Sequence, residues 1–589
     1  MSFAITQAMK ELSLIDMIDL PLKRRVGSDG TYAPAAFSPV PSAPSTDLPQ
    51  FRALERIRAR GFDKAPKIPV EPLLPDEQYR FHFNAGLCIG CECCVVACNE
   101  QNNNPASVNW RRVGEIEGGT WPTTNRLYLS MGCNHCIDPS CLSGCPTDAY
   151  FKDSGTGIVR HHADSCIGCQ YCIWNCPYGV PQFNADRGIV TKCDMCHARL
   201  SEGQEPACVQ ACPEEAIRIE KVNISAWKAN HAEADAPGMP DSNQTISTTR
   251  ITMPEQIPFD TERVNEHRIE PEDPHTPLIF LLTLTQLSVG GFAALWLCDI
   301  LSILFPSLGR FEHRMGAIAA GMLFVAMLAL NASIFHLGRP IHAWKALRMW
   351  KRSWLSREVL LFSLFSGFAS LYSGLWLDRM YLGLFPFTAP ARIALGSLVV
   401  LSGLAGVFSS AYIYMVPARP AWNTPRTLLR FFMTAFILGP LFAASLLLGS
   451  EYFLSSRLHH PVYSISLWTI VVIASLTQLV SLFTSVMDLI RDDVAELKGT
   501  AMLLTRRFRS LFLSRIAMLG AGGILLPALL AYSLPQSTQS DVARLFLISA
   551  TSFALALASE FIGRYLFFVT VVPKNIAGAF FKPARSHSS

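Results

Sequence analysis

Between Cys88 and Cys212 the chain places 17 of its 18 cysteines, and 16 of these fall into four groups of four. The groups read Cys88-x2-Cys91-x2-Cys94-x3-Cys98, Cys133-x2-Cys136-x4-Cys141-x3-Cys145-Pro146, Cys166-x2-Cys169-x2-Cys172-x3-Cys176-Pro177 and Cys193-x2-Cys196-x11-Cys208-x3-Cys212-Pro213. Such spacing is iron-sulfur chemistry. Three closely spaced thiolates wrap three corners of a cubane, while the fourth cysteine, turned away by the Pro that follows it, ligates a neighbouring cluster. The groups therefore work in pairs, and four groups imply four clusters in two pairs, a relay for single electrons. Structural zinc also uses Cys-x2-Cys, but it needs four ligands and leaves the regular x3-Cys-Pro tails unexplained. Disulfides fit worse, because the first residues do not read as a cleavable signal peptide and cysteines so close in sequence make strained bridges. Cys93 sits off the pattern and reads as a bystander.

Half of the 589 residues are hydrophobic and 16% are charged, but the two classes are unevenly spread. The first 275 residues look soluble and the rest looks like membrane. A net charge of +4 is too small to argue for nucleic acid.

Residues 1–78 combine an amphipathic start, Ile5 to Leu20, with a Pro/Ala/Ser-rich run from Ala33 to Pro49. Such a composition buries little core, so the segment reads either as an arm that orders against a partner or as a plain disordered tail. Residues 79–222 hold the clusters. Ala149 to Phe151 and Ile158 to Arg160, either side of Gly155-Thr156-Gly157, predict a β-hairpin, and Ile189 to Thr191 and Ala216 to Ile219 predict further short strands. The expected fold is α+β, ferredoxin-like and duplicated, with the clusters supplying much of the core. Residues 223–274, rich in Asp, Glu, Pro and Thr, read as a polar linker. An all-α membrane anchor then occupies residues 275–572, and 573–589 form a tail.

In that anchor, apolar runs of about twenty residues recur, each long enough to cross a bilayer as a helix. Eight are expected, at roughly 277–305, 314–337, 358–377, 391–415, 428–449, 464–487, 511–532 and 543–570. The loops after the second, fourth and sixth, with the carboxy-terminal tail, carry 17 Lys and Arg against 6 on the other side. The cluster domain therefore belongs on the cytoplasmic face of the inner membrane.

Two polar segments interrupt this half on that same side: Phe335-His336-Leu337-Gly338-Arg339-Pro340 ending the second span, and Ser356-Arg357-Glu358 opening the third. Ionisable groups at membrane depth are costly enough to point to function. A quinol releases two electrons and two protons, so its site needs hydrogen-bond partners and proton acceptors, roles that suit His336 and Glu358. Arg339 reads as a positive-inside anchor. Haem is not expected, since His336 has no histidine mate at matching depth and His313, His459 and His460 lie toward the opposite face. Asp299, and Glu560 with Arg564 one turn on, read as structural charge pairs.

The run CNHCIDPSCLSGCP at Cys133 to Pro146, with the x11 gap of the last group, resembles the four-cluster iron-sulfur subunit of dimethyl sulfoxide reductase-type molybdoenzymes. By that resemblance one cluster takes Cys88, Cys91, Cys94 and Cys212, and its partner Cys98, Cys193, Cys196 and Cys208. The inner pair takes Cys133, Cys136, Cys141 with Cys176, and Cys145 with Cys166, Cys169, Cys172. Some relatives replace the third cysteine of the second group and hold a three-iron cluster; Cys141 is present, so four [4Fe-4S] clusters are implied. Asn99, where many ferredoxins have Pro, departs from the pattern. The membrane segments above, together with Pro420-Ala421-Trp422-Asn423-Thr424-Pro425 and Gly439-Pro440, resemble the polytopic anchor subunit of the same complexes, in which a His and a Glu at the positions of His336 and Glu358 are associated with menaquinol.

The resemblance implies a fusion of the two subunits. Its partner would be a separate catalytic chain carrying molybdenum-bis(pterin guanine dinucleotide), and its exchangeable redox partner menaquinol or another quinone. A reductase complex draws electrons from the quinol, whereas a cytoplasm-facing sulfite dehydrogenase complex of the same architecture feeds quinone. Two other classes remain: a redox-driven ion translocator, disfavoured by the scarcity of carboxylates in the bundle, and a tethered redox sensor without a catalytic partner.

Overall fold

The computed structural model describes residues 68–69, 72–242, 245–264, 269–305, 312–454, 461–537 and 541–576. Most of the expected arm, His459, His460 and the tail from 577 lie outside those residues, as does the side chain of His313.

Two small sheets frame the cluster domain. β1 (Glu77–Asn84) lies between β8 (Ile217–Asn223), antiparallel with Phe81 opposite Ile219 and Phe83 opposite Ile217, and β9 (Arg250–Thr252), parallel. β2 (Arg112–Gly118) pairs antiparallel with both β3 (Asn125–Met131) and β10 (Glu262–Arg263). Two hairpins complete the strands: β4 (Tyr150–Lys152) with β5 (Val159–His161), and β6 (Gln182–Asn184) with β7 (Ile189–Thr191). Alternation along the strands sends Phe81, Phe83, Ile116, Leu129, Ile217 and Ile219 inward, where they pack with Cys94, Cys133, Cys193 and Cys208. A second core gathers Cys145, Cys166 and Cys172 with Tyr150, Val159, Ile189 and Val190. The cysteines are thus core residues themselves.

The segment expected as a linker is not one. It contributes β9 and β10, and Ser242, Thr245, Ser247, Thr248 and Thr249 are all buried. Thr248 donates to the Asn134 carbonyl at 2.6 Å, Thr249 to Asn134 Oδ1 at 2.9 Å and Thr245 to the Asp138 carbonyl at 2.8 Å. A Thr-rich composition suggests solvent, but the hydroxyls of Thr245, Thr248 and Thr249 each satisfy an acceptor of the cluster domain. The segment is a strap closing over the Cys133–Cys136 loop.

Eight helices long and apolar enough to cross a membrane follow: Thr276–Leu304, Met315–His336, Trp354–Tyr381, Ala389–Tyr414, Pro425–Phe453, Tyr463–Arg491, Arg509–Gln536 and Val542–Val569. The first and fifth spans cross closely at Gly290 and Gly439, where a Cβ on Gly439 would fall 2.5 Å from the Gly290 Cα. The seventh is not a plain helix, because Ala521–Leu525 form a wider π-type turn. Gly522 lets the eighth span close on that turn, and Ser552 donates to the Gly522 carbonyl at 2.6 Å.

The cluster domain docks on the ends of these helices. Arg339 N–H donates to the Ile167 carbonyl at 3.1 Å and its guanidinium to the Ala163 carbonyl at 3.0 Å. Lys345 reaches the Asp164 carbonyl at 2.9 Å, Ser353 the Gly144 carbonyl at 2.7 Å, and Arg352 lies 3.1 Å from Asp148. Basic residues read as anchors to the membrane face are also contacts holding the two halves together.

Buried charges in the bundle pair differently from expectation in one case. Asp299 does form a pair, with Arg392 Nη2 at 3.2 Å across the first and fourth spans. Glu560 and Arg564 instead share Thr434: the hydroxyl donates to Glu560 at 2.6 Å and accepts from Arg564 Nη2 at 3.1 Å. Arg564 also donates to Gln286 at 2.6 Å, and the guanidinium beside Glu560 is that of Arg515, at 4.0 Å. Neighbouring helices offered both groups better partners than their own turn did.

Candidate functional site

Left-handed backbone residues set the cysteine loops. Gly90 and Gly168 have φ of 70° and 71°, and Glu92 and Gln170 have φ of 58° and 61°, so the first and third groups repeat one loop. Such reversals turn successive N–H groups inward, making a concavity that favours anions. The Gly168 N–H lies 3.4 Å from Cys166 Sγ, and the Met195 N–H 3.3 Å from Cys193 Sγ.

After the last cysteine of the second, third and fourth groups, Pro ends the short helix and the third residue on, Asp148, Gly179 or Glu215, is left-handed. The next N–H then returns to the sulfur: Ala149 to Cys145 and Ala216 to Cys212, each at 3.3 Å. Asn99 breaks this rule, and the structure gives the consequence. Without Pro the helix Cys93–Asn102 runs on past Cys98, whose sulfur faces the Asn102 side-chain amide at 3.7 Å instead.

The sixteen thiols, none in a disulfide, come together as four sets. Cys88, Cys91, Cys94 and Cys212 line one cavity; Cys133, Cys136, Cys141 and Cys176 line another. Cys98 neighbours Cys208 and Cys196, and Cys193 neighbours Cys98 and Cys208. Cys145 neighbours Cys166, Cys169 and Cys172. The sets follow one another in space. Cys94 feels Cys208, Cys193 feels Cys133, and Tyr150 lies between Cys141 and Cys172, donating to the latter at 3.4 Å.

Two buried cations sit at the junctions. Burial opposes the charge of Arg111, yet the thiols of Cys208, Cys94, Cys193 and Cys98 raise its pKa on balance. Lys192 is raised in the same way against burial, by Cys133, Cys141 and Cys193; its ammonium lies 3.7 Å from Cys133 Sγ and donates to the carbonyls of Val159 and Cys193. Burial, then neighbouring thiols, pushes Cys98 up to about 12, and burial pushes Cys176 up to about 11. Bare thiolates are therefore disfavoured, and metal ions in place of the protons, with N–H groups directed at sulfur, are the remedy this donor set fits. Cys93 stays exposed at the surface.

The last set meets the membrane half backbone to backbone. A Cβ on Gly168 would lie 2.8 Å from Gly338 N, so only glycines allow the Cys166–Cys169 loop to rest on the turn after His336. His336 closes a short 3-10 turn at the end of the second span, half-buried, its Nδ1 bonded to the Ser333 carbonyl. A carbonyl only accepts, which assigns the proton to Nδ1 and leaves Nε2 as an acceptor. Glu358 is buried in the first turns of the third span, facing Ser410 and, from the cluster domain, Tyr171. Trp174 has its ring 5.3 Å from that of His275, whose charge His336 feels, and 5.4 Å from that of Tyr414, which feels Glu358. Trp174, His275, Arg111 and Lys192 escaped the sequence reading. The signal for Lys192 was its place directly before Cys193; the others carried none.

Fold and site together define an iron-sulfur electron-transfer module built onto a multi-pass membrane anchor. Residues 124–222 match the 4Fe-4S dicluster domain family, and residues 272–569, half of the chain, match the DMSO reductase anchor subunit family (DmsC). This protein belongs to that anchor family, with an iron-sulfur subunit fused ahead of it. Its cluster domain is 40% identical over 168 residues to the probable anaerobic dimethyl sulfoxide reductase chain YnfG of Escherichia coli K12, covering 27% of this sequence and 82% of that one. It is 37% identical over 190 residues to a chain of the anaerobic dimethyl sulfoxide reductase of Haemophilus influenzae, covering 31% and 88%. A sulfite dehydrogenase subunit of Allochromatium vinosum is 36% identical over 152 residues, covering 22% and 63%.

Proposed function

We propose that this protein carries electrons between a quinol, held by His336 and Glu358, and a separate catalytic subunit, through four [4Fe-4S] clusters. Cys88, Cys91, Cys94 and Cys212 would hold the first, and Cys98, Cys193, Cys196 and Cys208 the second. Cys133, Cys136, Cys141 and Cys176 hold the third, and Cys145, Cys166, Cys169 and Cys172 the fourth. When bound, such clusters supply one-electron transfer.

The observation that carries the reading is continuity: the four thiol sets adjoin in series, and the last rests on the turn bearing His336.

The protein's own groups have distinct tasks. His336 Nε2 takes the proton of one quinol hydroxyl and the Glu358 carboxylate that of the other, so both protons released on oxidation have an acceptor, while Trp174 packs against His275 and Tyr414. Arg111 and Lys192 offset the negative charge of the sulfur-lined core.

The proposed partner is a molybdenum-bis(pterin guanine dinucleotide) enzyme, and the proposed side for the cluster domain is the cytoplasm, a reading that the basic loops support. The names of the reductase relatives favour flow from menaquinol to an S-oxide. The match to a sulfite dehydrogenase supports the second reading, flow from sulfite to quinone.

Anaerobic purification in mild detergent tests the partner: a large molybdenum-bearing subunit is expected with the protein, and its absence removes the proposal. Supplying that complex with sulfite or with an S-oxide and quinol decides direction. His336→Ala and Glu358→Gln should keep the cluster signals but slow their reduction by a quinol analogue by about 10²-fold or more; unchanged kinetics would place the quinol elsewhere.

A further inference from the structure

A second polar pocket lies deeper in the sequence than the quinol segments, between the last four spans. It is lined by Arg430, Thr434, Ser485, Arg515, Glu560 and Arg564. Three guanidinium groups here face one carboxylate, and that carboxylate is already engaged. Glu560 accepts from Thr434 and from the Gln478 amide, each at 2.6 Å, with Arg515 at 4.0 Å. Arg430 donates to Ser485 at 2.6 Å, and Arg564 lies 3.9 Å over the Phe431 ring. The Nε groups of Arg430, Arg515 and Arg564 are nevertheless buried without a partner, although Arg515 is only 7% exposed and Arg564 4%. Three guanidinium groups against one shared carboxylate leave positive charge in excess, and buried donors without an acceptor are costly, so the pocket favours an anion.

The pocket is also shaped for one. The Arg515 guanidinium lies flat across Gly563, where a Cβ would come within 2.5 Å of its Cζ. Arg430, Arg515 and Arg564 lie five or six residues inside the cluster-side ends of their helices, Pro425, Arg509 and Val569. At 1.5 Å per residue that is roughly 8–9 Å from those ends, near the depth at which headgroups meet hydrocarbon. Apart from Thr500 and Thr570 the remaining wall, including half-buried Val486, Leu489 and Phe512, is apolar.

We propose that this pocket binds a phosphate-bearing anion, either the headgroup of an anionic membrane phospholipid or free inorganic phosphate. Guanidinium pairs suit phosphate oxygens by geometry as well as charge. The apolar wall would receive acyl chains.

The test uses the full-length protein, with any subunit that accompanies it, washed of lipid in detergent. Its melting temperature is followed during titration with short-chain phosphatidylglycerol, phosphatidylcholine or inorganic phosphate. A rise with phosphatidylglycerol alone assigns a lipid, and an equal rise with inorganic phosphate assigns the free anion. No rise with either, or an equal rise with phosphatidylcholine, overturns the proposal. Arg515→Gln should weaken the response about tenfold. If that variant does not fold, Arg430→Gln, half-buried at the rim, should act in the same direction. Wild-type affinity in the variant that folds overturns the proposal as well.

Discussion

Lys192 is a side chain at which tuning of the proposed clusters by the protein is open to direct test. A buried ammonium beside Cys133, Cys141 and Cys193 favours whichever state holds more negative charge, the reduced one. At an effective dielectric near 20 and about 5–8 Å, one charge is worth roughly 2–3 kcal/mol, or about 100 mV for one electron. Lys192→Met should therefore lower the midpoint potential of the adjoining cluster signals by on the order of 100 mV in a redox titration; an unchanged or higher potential would show that the cation acts only as a strut. Asp299 is a contrasting case, a charge with a structural task. Its pairing with Arg392 is buried, so Asp299→Asn should cost about 3–5 kcal/mol, and adding Arg392→Met should recover much of it, read as melting temperature. At this scale the cysteine pattern was legible, because cluster ligation imposes spacing on the sequence itself. The neighbours were not: Arg111 is well beyond the first group, and only folding β2 against the core brings it among the thiols.

Loops and strands set the contact between the cluster domain and the proposed quinol segments. Gly338 touches Gly168 and Gly188 so closely that any larger residue must push the turn away from the cluster domain. Gly338→Val should slow quinol-driven reduction several-fold while reduction by dithionite stays at wild-type speed; equal rates in both assays would deny the contact a role. Periodicity made the strands and the eight spans readable, since burial on one face or all round leaves a mark on composition. It failed on residues 223–274, where the buried side chains include Ser and Thr, and it missed the π-type turn at Ala521–Leu525, which depends on how closely the eighth span approaches Gly522.

For the molecule as a whole, fusion of a cluster domain to its anchor places the cysteine sets and the proposed quinol segments in one polypeptide, joined by Arg339, Lys345, Ser353 and the Trp174 insertion. Which substrate the assembly serves belongs to the partner, and no pattern in this sequence encodes it. What the sequence does encode is a row of thiol sets ending at a membrane, and everything proposed for it requires iron in all four. The most direct measurement is therefore iron and acid-labile sulfide per polypeptide in anaerobically prepared protein. About sixteen iron atoms with matching sulfide are predicted for four cubanes; zinc in their place, or iron sufficient for only one or two clusters, would contradict the account.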